Sequence, residues 1–444
     1  MRSNRLTVDS ETRQKLSAAD IEILKTADKE GGKAVIEAIM ASHTALDEKT
    51  AFSLAKYKLL KTRKYLRQFT VLPMDVPMLT HWLIEQKDAA RILEMRDEMV
   101  GLVGCWGNVR WAGDPFGLPS PPLSAENQGH GRWLVVDEVG GLLVAAMAER
   151  MGILYPDSSS PTDVSTENTD TDDALSRPLA SSNTLTLLHP AAQPNLSLLK
   201  YFSHNPDAPS PNHPLSTHLH TLSWLQLLSP EHDTTYSTAP PVSTPEELAA
   251  MKSGKRGQYY RKRRRHTRCT TIVDSARAGN FDGLVVASSM DPVTILSHLV
   301  PLLRGGAPVV VYSPNVEPLT KLADCYSTSR RTAFIQSPPA EGNLEKWAGD
   351  EDFPLNPTLL IGAGVQTSRI RDWQVLPGRT HPMMTSRGGA EGYIFTGTRV
   401  IPAEGRVEAR GKYKRRKMEE SVKETEVATP AAAVEGDVEM KTSQ

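Results

Sequence analysis

Cysteines, long apolar runs and net charge are what this chain of 444 residues has least of. Its three cysteines, Cys105, Cys269 and Cys325, lie far apart and make no CxxC or Cys/His ligand spacing. That points to a reduced intracellular compartment and away from a structural zinc. No apolar run approaches the roughly 18–20 residues needed to cross a bilayer. The first residues, MRSNRLTVDSETRQ, are polar and lack the apolar core of a signal peptide. A soluble, non-secreted protein is expected. Charge balances to −1, from 51 Lys/Arg against 52 Asp/Glu, so only its distribution along the chain informs. His213, His218 and His220 share no carboxylate or cysteine spacing that would make a metal set. The GxSxG pattern is absent, no nucleophile triad can be argued, and no internal repeat is visible.

What is present, at 39% hydrophobic residues, suffices for one large core with irregular segments around it. From Ala18 to about Gln68 the pattern is helical, and DEKTAFSLAKYKLLKTRKYLRQF is a long basic amphipathic stretch. A second helical region runs from about Pro77 to Val103, and residues 113–131 are rich in turn formers and read as a loop. From Arg132 onward, short Val/Leu/Ile runs alternate with helical patterns: WLVVD, GGLLVAAMAERMG, TLTLLH, NLSLLKYF, then GLVVAS, DPVTILSHLVPLLRGG, PVVVYS, LTKLADCYS and TAFIQS. Such runs predict a parallel α/β sheet covered on both faces. TLLIGAG, DWQVLPG and EGYIFTGTRV lack intervening helices and predict antiparallel strands closing one edge. Residues 157–177 and the tail from about 419 are too poor in apolar residues to offset ordering entropy, and disorder is expected there. A third irregular stretch, 203–250, contains HLHTLSWLQLL, the expected third strand, and about 229–270 is expected to be a disordered insertion.

The first strand–loop–helix, RWLVVDEVGGLLVAAMAERMG (132–152), has the layout of a nucleotide- or S-adenosylmethionine-binding unit. Such loops need glycine where the backbone passes against the ligand. Laid on the pattern acidic-x-Gly-x-Gly-x-Gly, Asp137 and Gly141 match, while Val139 and Leu143 replace the first and third glycines. The second strand ends in His189-Pro190, without the acid that would hold ribose hydroxyls. The fourth ends in Ala287-Ser288-Ser289, without an Asp- or Asn-Pro-Pro motif, and Asp291-Pro292 reads as an ordinary helix start. The loop is therefore a degenerate donor site, with Gly140 and Gly141 left to turn the chain.

Positive charge concentrates in three places. MKSGKRGQYYRKRRRHTRCTTIV (251–273) holds nine Lys/Arg and no acid, with Tyr259 and Tyr260 among them. Lys255, Arg256, Arg261, Lys262, Arg263, Arg264 and Arg265 can neutralise phosphates while the tyrosines stack on bases or riboses. The same run also reads as a nuclear-import signal or a solvated charge run. Lys56, Arg63, Lys64 and Arg67 fall near one helical face and make a second candidate RNA surface. The third cluster, GKYKRRKMEE (411–420), reads equally as import signal or RNA contact.

One run is specific. DWQVLPGRTHPMMTSRGGAEGYIFTGTRV (372–400), with KYLRQFTVLP (64–73), 132–152 and 281–314, resembles the non-catalytic subunits of the eukaryotic tRNA (adenine-58-N1)-methyltransferases. The resemblance covers roughly 15–150 and 184–405. It implies a class I methyltransferase-like, Rossmann-like α/β domain over 132–405, preceded by a helical linker region over 1–112 and followed by a basic, then disordered tail over 406–444. It implies no cofactor in this chain, S-adenosylmethionine in a catalytic partner subunit, two heterodimers paired into a heterotetramer, tRNA as the bound substrate, a nuclear location and no membrane. The family carries a β-rich domain before the helical linker, and that domain is expected to be missing here. Leu376, Arg379, His381, Met383 and Met384 read either as a partner interface or as a buried edge turn, and the resemblance favours the interface. Two other functions fit the residues: a self-sufficient RNA methyltransferase, and an RNA-binding translation-initiation scaffold.

Overall fold

WLVVD is apolar at every position up to its aspartate, which suits a strand covered on both sides. The computed structural model describes residues 13–28, 31–44, 46–69, 71–113, 131–156, 180, 182–336, 349–368, 370, 373–382 and 391–401. Helices α1 (Ala18–Ala27), α2 (Lys33–Ala41), α3 (Ala51–Tyr65), α4 (Val76–Gln86) and α5 (Asp97–Trp106) precede strand β1 (Arg132–Asp137). Next come α6 (Leu142–Met151), β2 (Thr184–His189), α7 (Leu215–His218), β3 (Leu219–Ser223), α8 (Trp224–Leu228), α9 (Thr234–Ser237), α10 (Pro245–Ala250) and α11 (Ser253–Arg277). The chain continues through β4 (Gly283–Ala287), α12 (Pro292–Leu299), β5 (Pro308–Ser313), α13 (Glu317–Cys325) and α14 (Thr328–Gln336). It closes with β6 (Leu360–Gln366), β7 (Trp373–Leu376), β8 (Arg379–Pro382) and β9 (Tyr393–Arg399). Side-chain caps mark several helix starts: Ser17, Thr50, Asp75 and Asp291 each accept a backbone N–H from the first turn.

Seven strands form one sheet in the order β3-β2-β1-β4-β5-β9-β6. The first five pair in parallel, and β9 runs antiparallel to both β5 and β6. Strand order reverses between β1 and β4, the switch point outside which such sheets bind ligands. This is the class I methyltransferase-like sheet. Its two faces are sorted by residue parity. Trp133 and Val135 point into a core shared with α4, α5 and α6, while Leu134 and Val136 point into one shared with α11, α12 and α13.

Several expectations are corrected. Helices α4 and α5 belong to the sheet's own core through Leu79, Leu83, Met99 and Val103, so a linker ending at 112 does not describe them. HLHTLSWLQLL divides into β3 and α8, because Ser223 and Gln226 form a capping box that starts a helix mid-run. The described part of TAFIQS, up to Gln336, lies in α14 rather than in a strand. Of the three C-terminal runs only β9 reverses direction, β6 runs with the parallel strands, and DWQVLPG leaves the sheet to form a separate β7–β8 hairpin. The disordered insertion at 229–270 is instead α9, α10 and most of the 25-residue helix α11. Residues 114–130, 157–179 and 402–444, and with them the expected disorder and the third basic cluster, lie outside the described residues. No helix among the described residues is long and apolar enough to cross a membrane.

Candidate functional site

The β1–α6 loop is held by the aspartate that ends β1. One Asp137 carboxylate oxygen accepts the N–H of Val139 at 2.8 Å and of Gly141 at 3.0 Å, and the other accepts that of Val144 at 3.1 Å. Burial pushes this carboxyl up, and the backbone donors offset only part of that rise. The acid therefore secures the first turn of α6. Val139 and Leu143, expected to obstruct a donor pocket, are both fully buried and belong to the same core cluster as Leu196, Leu198 and Leu199. The segment after β2 packs against the loop. A Cβ on Gly140 would meet Leu198 at 3.4 Å, and one on Gly141 would meet Leu196 at 3.2 Å and Leu199 at 3.4 Å. The N–H of Leu198 also donates to the Gly140 carbonyl at 3.0 Å. Both glycines take left-handed φ, +74° and +91°, so the turn itself requires them. Leucines of the chain thus pack against both glycines of this loop.

The neighbouring strand ends are also satisfied internally. His189 is buried, its Nδ1 lies 2.7 Å from the Ala191 carbonyl, and burial pushes its imidazole down. Ser289 donates through both its backbone N–H and its hydroxyl to Glu138, at 2.9 and 2.6 Å. Asp291 caps α12 with Pro292 at the first helical position, the structural role expected of it. No group of His, Cys, Asp and Glu among the described residues could hold a metal.

Helix α11 carries the main basic run. Ile272, Val273 and Ala276 in its last turns are buried and anchor it to the core. Lys255, Arg256, Arg261, Lys262, Arg263, Arg264 and Arg265 are all exposed. Among the described residues none of these, nor Arg268, forms an ion pair. Like charges three and four apart on a helix repel by a few tenths of a kcal/mol per pair. No ion pair among the described residues offsets that cost, which suits an external polyanion. Tyr259 and Tyr260 pack edge-to-face at 5.4 Å, and Tyr259 accepts from Ser243 N–H and from Arg263. Arg268, which has no place in the sequence-derived set, turns toward β3 and donates to the Leu219 carbonyl at 3.4 Å.

The second basic surface survives in part. Lys56, Arg63 and Lys64 are exposed on α3, and the Lys64 ammonium lies 5.4 Å from the Tyr65 ring. Arg67 falls beyond the helix end, and its guanidinium is turned to the Lys25 carbonyl at 2.9 Å. It is taken off the face the helical spacing predicts. Helix α3 instead meets the β7–β8 hairpin, where Arg379 stacks 5.0 Å from the Phe52 ring. Leu376, Arg379 and His381 lie on this hairpin, whose β8 residues are all exposed, so it is no buried edge turn. Met383 and Met384 lie outside the described residues. The hairpin leaves the β6 end of the sheet, whereas α11 packs at the β3 end, so the two candidate surfaces are not brought together.

The profile of the Gcd10p family matches residues 1–252. A protein of Aspergillus fumigatus named tRNA (adenine(58)-N(1))-methyltransferase non-catalytic subunit trm6 is 47% identical, covering 99% of this chain and 82% of its own length. A protein of the same name from Aspergillus oryzae is 48% identical over 99% of this chain and 83% of its own. One from Debaryomyces hansenii is 30% identical over 90% and 67%. Among solved structures, the tRNA (m1A58) methyltransferase TrmI from Aquifex aeolicus aligns with 63% of this chain and 67% of its own at 11% identity and a TM-score of 0.28. A SAM-dependent O-methyltransferase from Thermotoga maritima aligns with 70% and 68% at 11% identity and a TM-score of 0.32. Likenesses this weak carry no argument about activity.

Proposed function

This chain belongs to the Gcd10p family, and on that footing we propose that it is the non-catalytic subunit of a tRNA (adenine-58-N1)-methyltransferase. In this reading it binds tRNA and supports a catalytic partner that alone holds S-adenosylmethionine. The observation that carries the proposal is a complete methyltransferase-like sheet whose glycine loop is packed by Leu196, Leu198 and Leu199. The exposed cations of α11, which form no ion pair among the described residues, support a role in holding RNA, since phosphate contacts position a substrate without performing chemistry. The exposed β7–β8 hairpin, with Trp373 60% and Val375 73% exposed, supports Leu376, Arg379 and His381, with Met383 and Met384, as the partner contact. A heterotetramer of two heterodimers and a nuclear location complete the proposal.

Co-expression with the catalytic partner tests it. The complex is expected to methylate adenine 58 of tRNA, while the isolated chain transfers no methyl group and gives no heat with S-adenosylmethionine in calorimetry. Micromolar donor affinity of the isolated chain would establish a self-sufficient enzyme instead. Purification without any accompanying methyltransferase would favour the translation-initiation scaffold. Replacing Arg261, Lys262, Arg263, Arg264 and Arg265 with alanine is expected to weaken tRNA binding and flatten its salt dependence. An unchanged salt slope would leave that run to nuclear import alone.

A further inference from the structure

The charges of α11 are not equivalent, because the helix sorts them onto different faces. Tyr260, Arg263, Arg264 and Arg268 recur at helical spacing and share one face. With Thr217 and His220 on the opposite wall they line a groove of about 720 Å3 between α11 and the β3 edge of the sheet. Ligand sites commonly measure roughly 300–1,000 Å3. Arg265 turns to a second cavity of about 610 Å3 beside Asp233 and Cys269. Arg268 borders both cavities, and also a third of about 520 Å3 that reaches Gln193 and His204. It stands where all three adjoin, while Arg261 and Lys262 border none of them.

The donors in the first groove are largely unspent. Arg263 gives one N–H to the Tyr259 hydroxyl at 3.2 Å, Arg264 one to the Tyr260 carbonyl at 3.4 Å, and Arg268 one to Leu219. Each guanidinium carries five N–H donors, so most remain for an outside acceptor. Across the groove the Thr217 hydroxyl donates to the Pro214 carbonyl, which leaves its oxygen on the polar wall. Three guanidiniums converging beside a hydroxyl and an aromatic ring match the chemistry of a polynucleotide backbone, with phosphate for the cations and ribose or base for the ring.

We propose that this groove seats backbone phosphates of an RNA strand, with Arg263, Arg264 and Arg268 as phosphate contacts and Tyr260 beside a ribose or base. Arg261 and Lys262 contribute diffuse attraction only. This assignment rests on the tRNA-binding reading and narrows it to one face of one helix.

The test uses the full chain in complex with its catalytic partner and a tRNA transcript, with binding followed by fluorescence anisotropy across a KCl series. Arg264→Gln and Arg268→Gln are each expected to weaken binding about tenfold and to lower the salt slope by about one. Lys262→Gln, which removes the same charge from outside the groove, is expected to cost about twofold and to move the slope far less. Arg268→Lys restores the slope because it restores the charge, which separates a phosphate contact from a fold defect. Equal losses for Lys262→Gln and Arg268→Gln, with steep wild-type salt dependence, overturn the groove and leave the tRNA-binding reading standing. A wild-type complex whose tRNA binding does not depend on this chain overturns both.

Discussion

Val139 shows how a departure from a loop pattern can also serve the core. As a missing loop glycine it suggests a blocked pocket, yet its side chain is fully buried in the core beneath the sheet. Val139→Gly therefore empties core volume. Loss of this buried side chain, with the added backbone freedom of glycine, is expected to cost about 2–4 kcal/mol in urea unfolding. Calorimetry should still detect no donor binding, and donor affinity gained by that variant would count against Leu196, Leu198 and Leu199 as the residues that exclude a donor. His204 offers a second test at this scale. It is buried, its ring lies 4.9 Å from that of His213, and its Nδ1 has no hydrogen-bond partner. Burial, with the neighbouring His213, pushes its pKa from 6.5 down to about 4. Folded His204 thus binds protons less readily than unfolded His204, so its contribution is fully present above about pH 6.5 and is lost as pH falls toward 4. The span corresponds to on the order of 3 kcal/mol, with roughly 2 gone by pH 5. The drop in thermal midpoint between pH 7 and pH 5 should shrink in His204→Gln. An identical drop in both proteins would remove His204 from the account.

Helix α11 is the element at which composition misleads. Nine Lys/Arg in one run give low hydrophobicity and mutual repulsion, the signature of a disordered segment. Three apolar residues at its C-terminal end, Ile272, Val273 and Ala276, reach the core and let the helix extend outward from there. Amide protection is expected to rise from Ser253 toward Arg277. Val273→Asp, which buries a charge at that anchor, should abolish protection along the helix and lower tRNA affinity with it. Protection retained in that variant would show that the helix does not depend on its anchor. The β7–β8 hairpin behaves differently, since it stands apart from the sheet and touches α3. Trp373→Glu is expected to release the catalytic partner, as read by size-exclusion chromatography, while leaving thermal stability nearly unchanged because Trp373 is largely exposed. A complex that survives Trp373→Glu intact would move the interface elsewhere.

At the scale of the whole molecule, the arrangement separates fold from chemistry. The sheet retains its order and both covering layers, while the loop, the second-strand end and the fourth-strand end satisfy their own polar groups. Parallel strands read clearly in the sequence because burial on both faces demands continuous Val/Leu/Ile runs. The helices read clearly where caps and periodicity agree, as at Asp291. The residues that pack on the loop did not. Leu196, Leu198 and Leu199 look like any apolar run, and only packing brings them to Gly140 and Gly141, more than fifty positions earlier in the chain. Arg268 was hidden in the same way, one cation among nine until the helix set it against the β3 edge.

By itself the sequence determined the class of sheet, the loss of the donor pattern and the places where positive charge gathers. These follow from local rules: strand burial, loop glycines and counts of charge. Tertiary structure alone decided that Val139 is buried in the core, that the basic run is a helix, and that Arg67 turns to the Lys25 carbonyl. Each of those depends on which distant residues come into contact, and no local rule contains that.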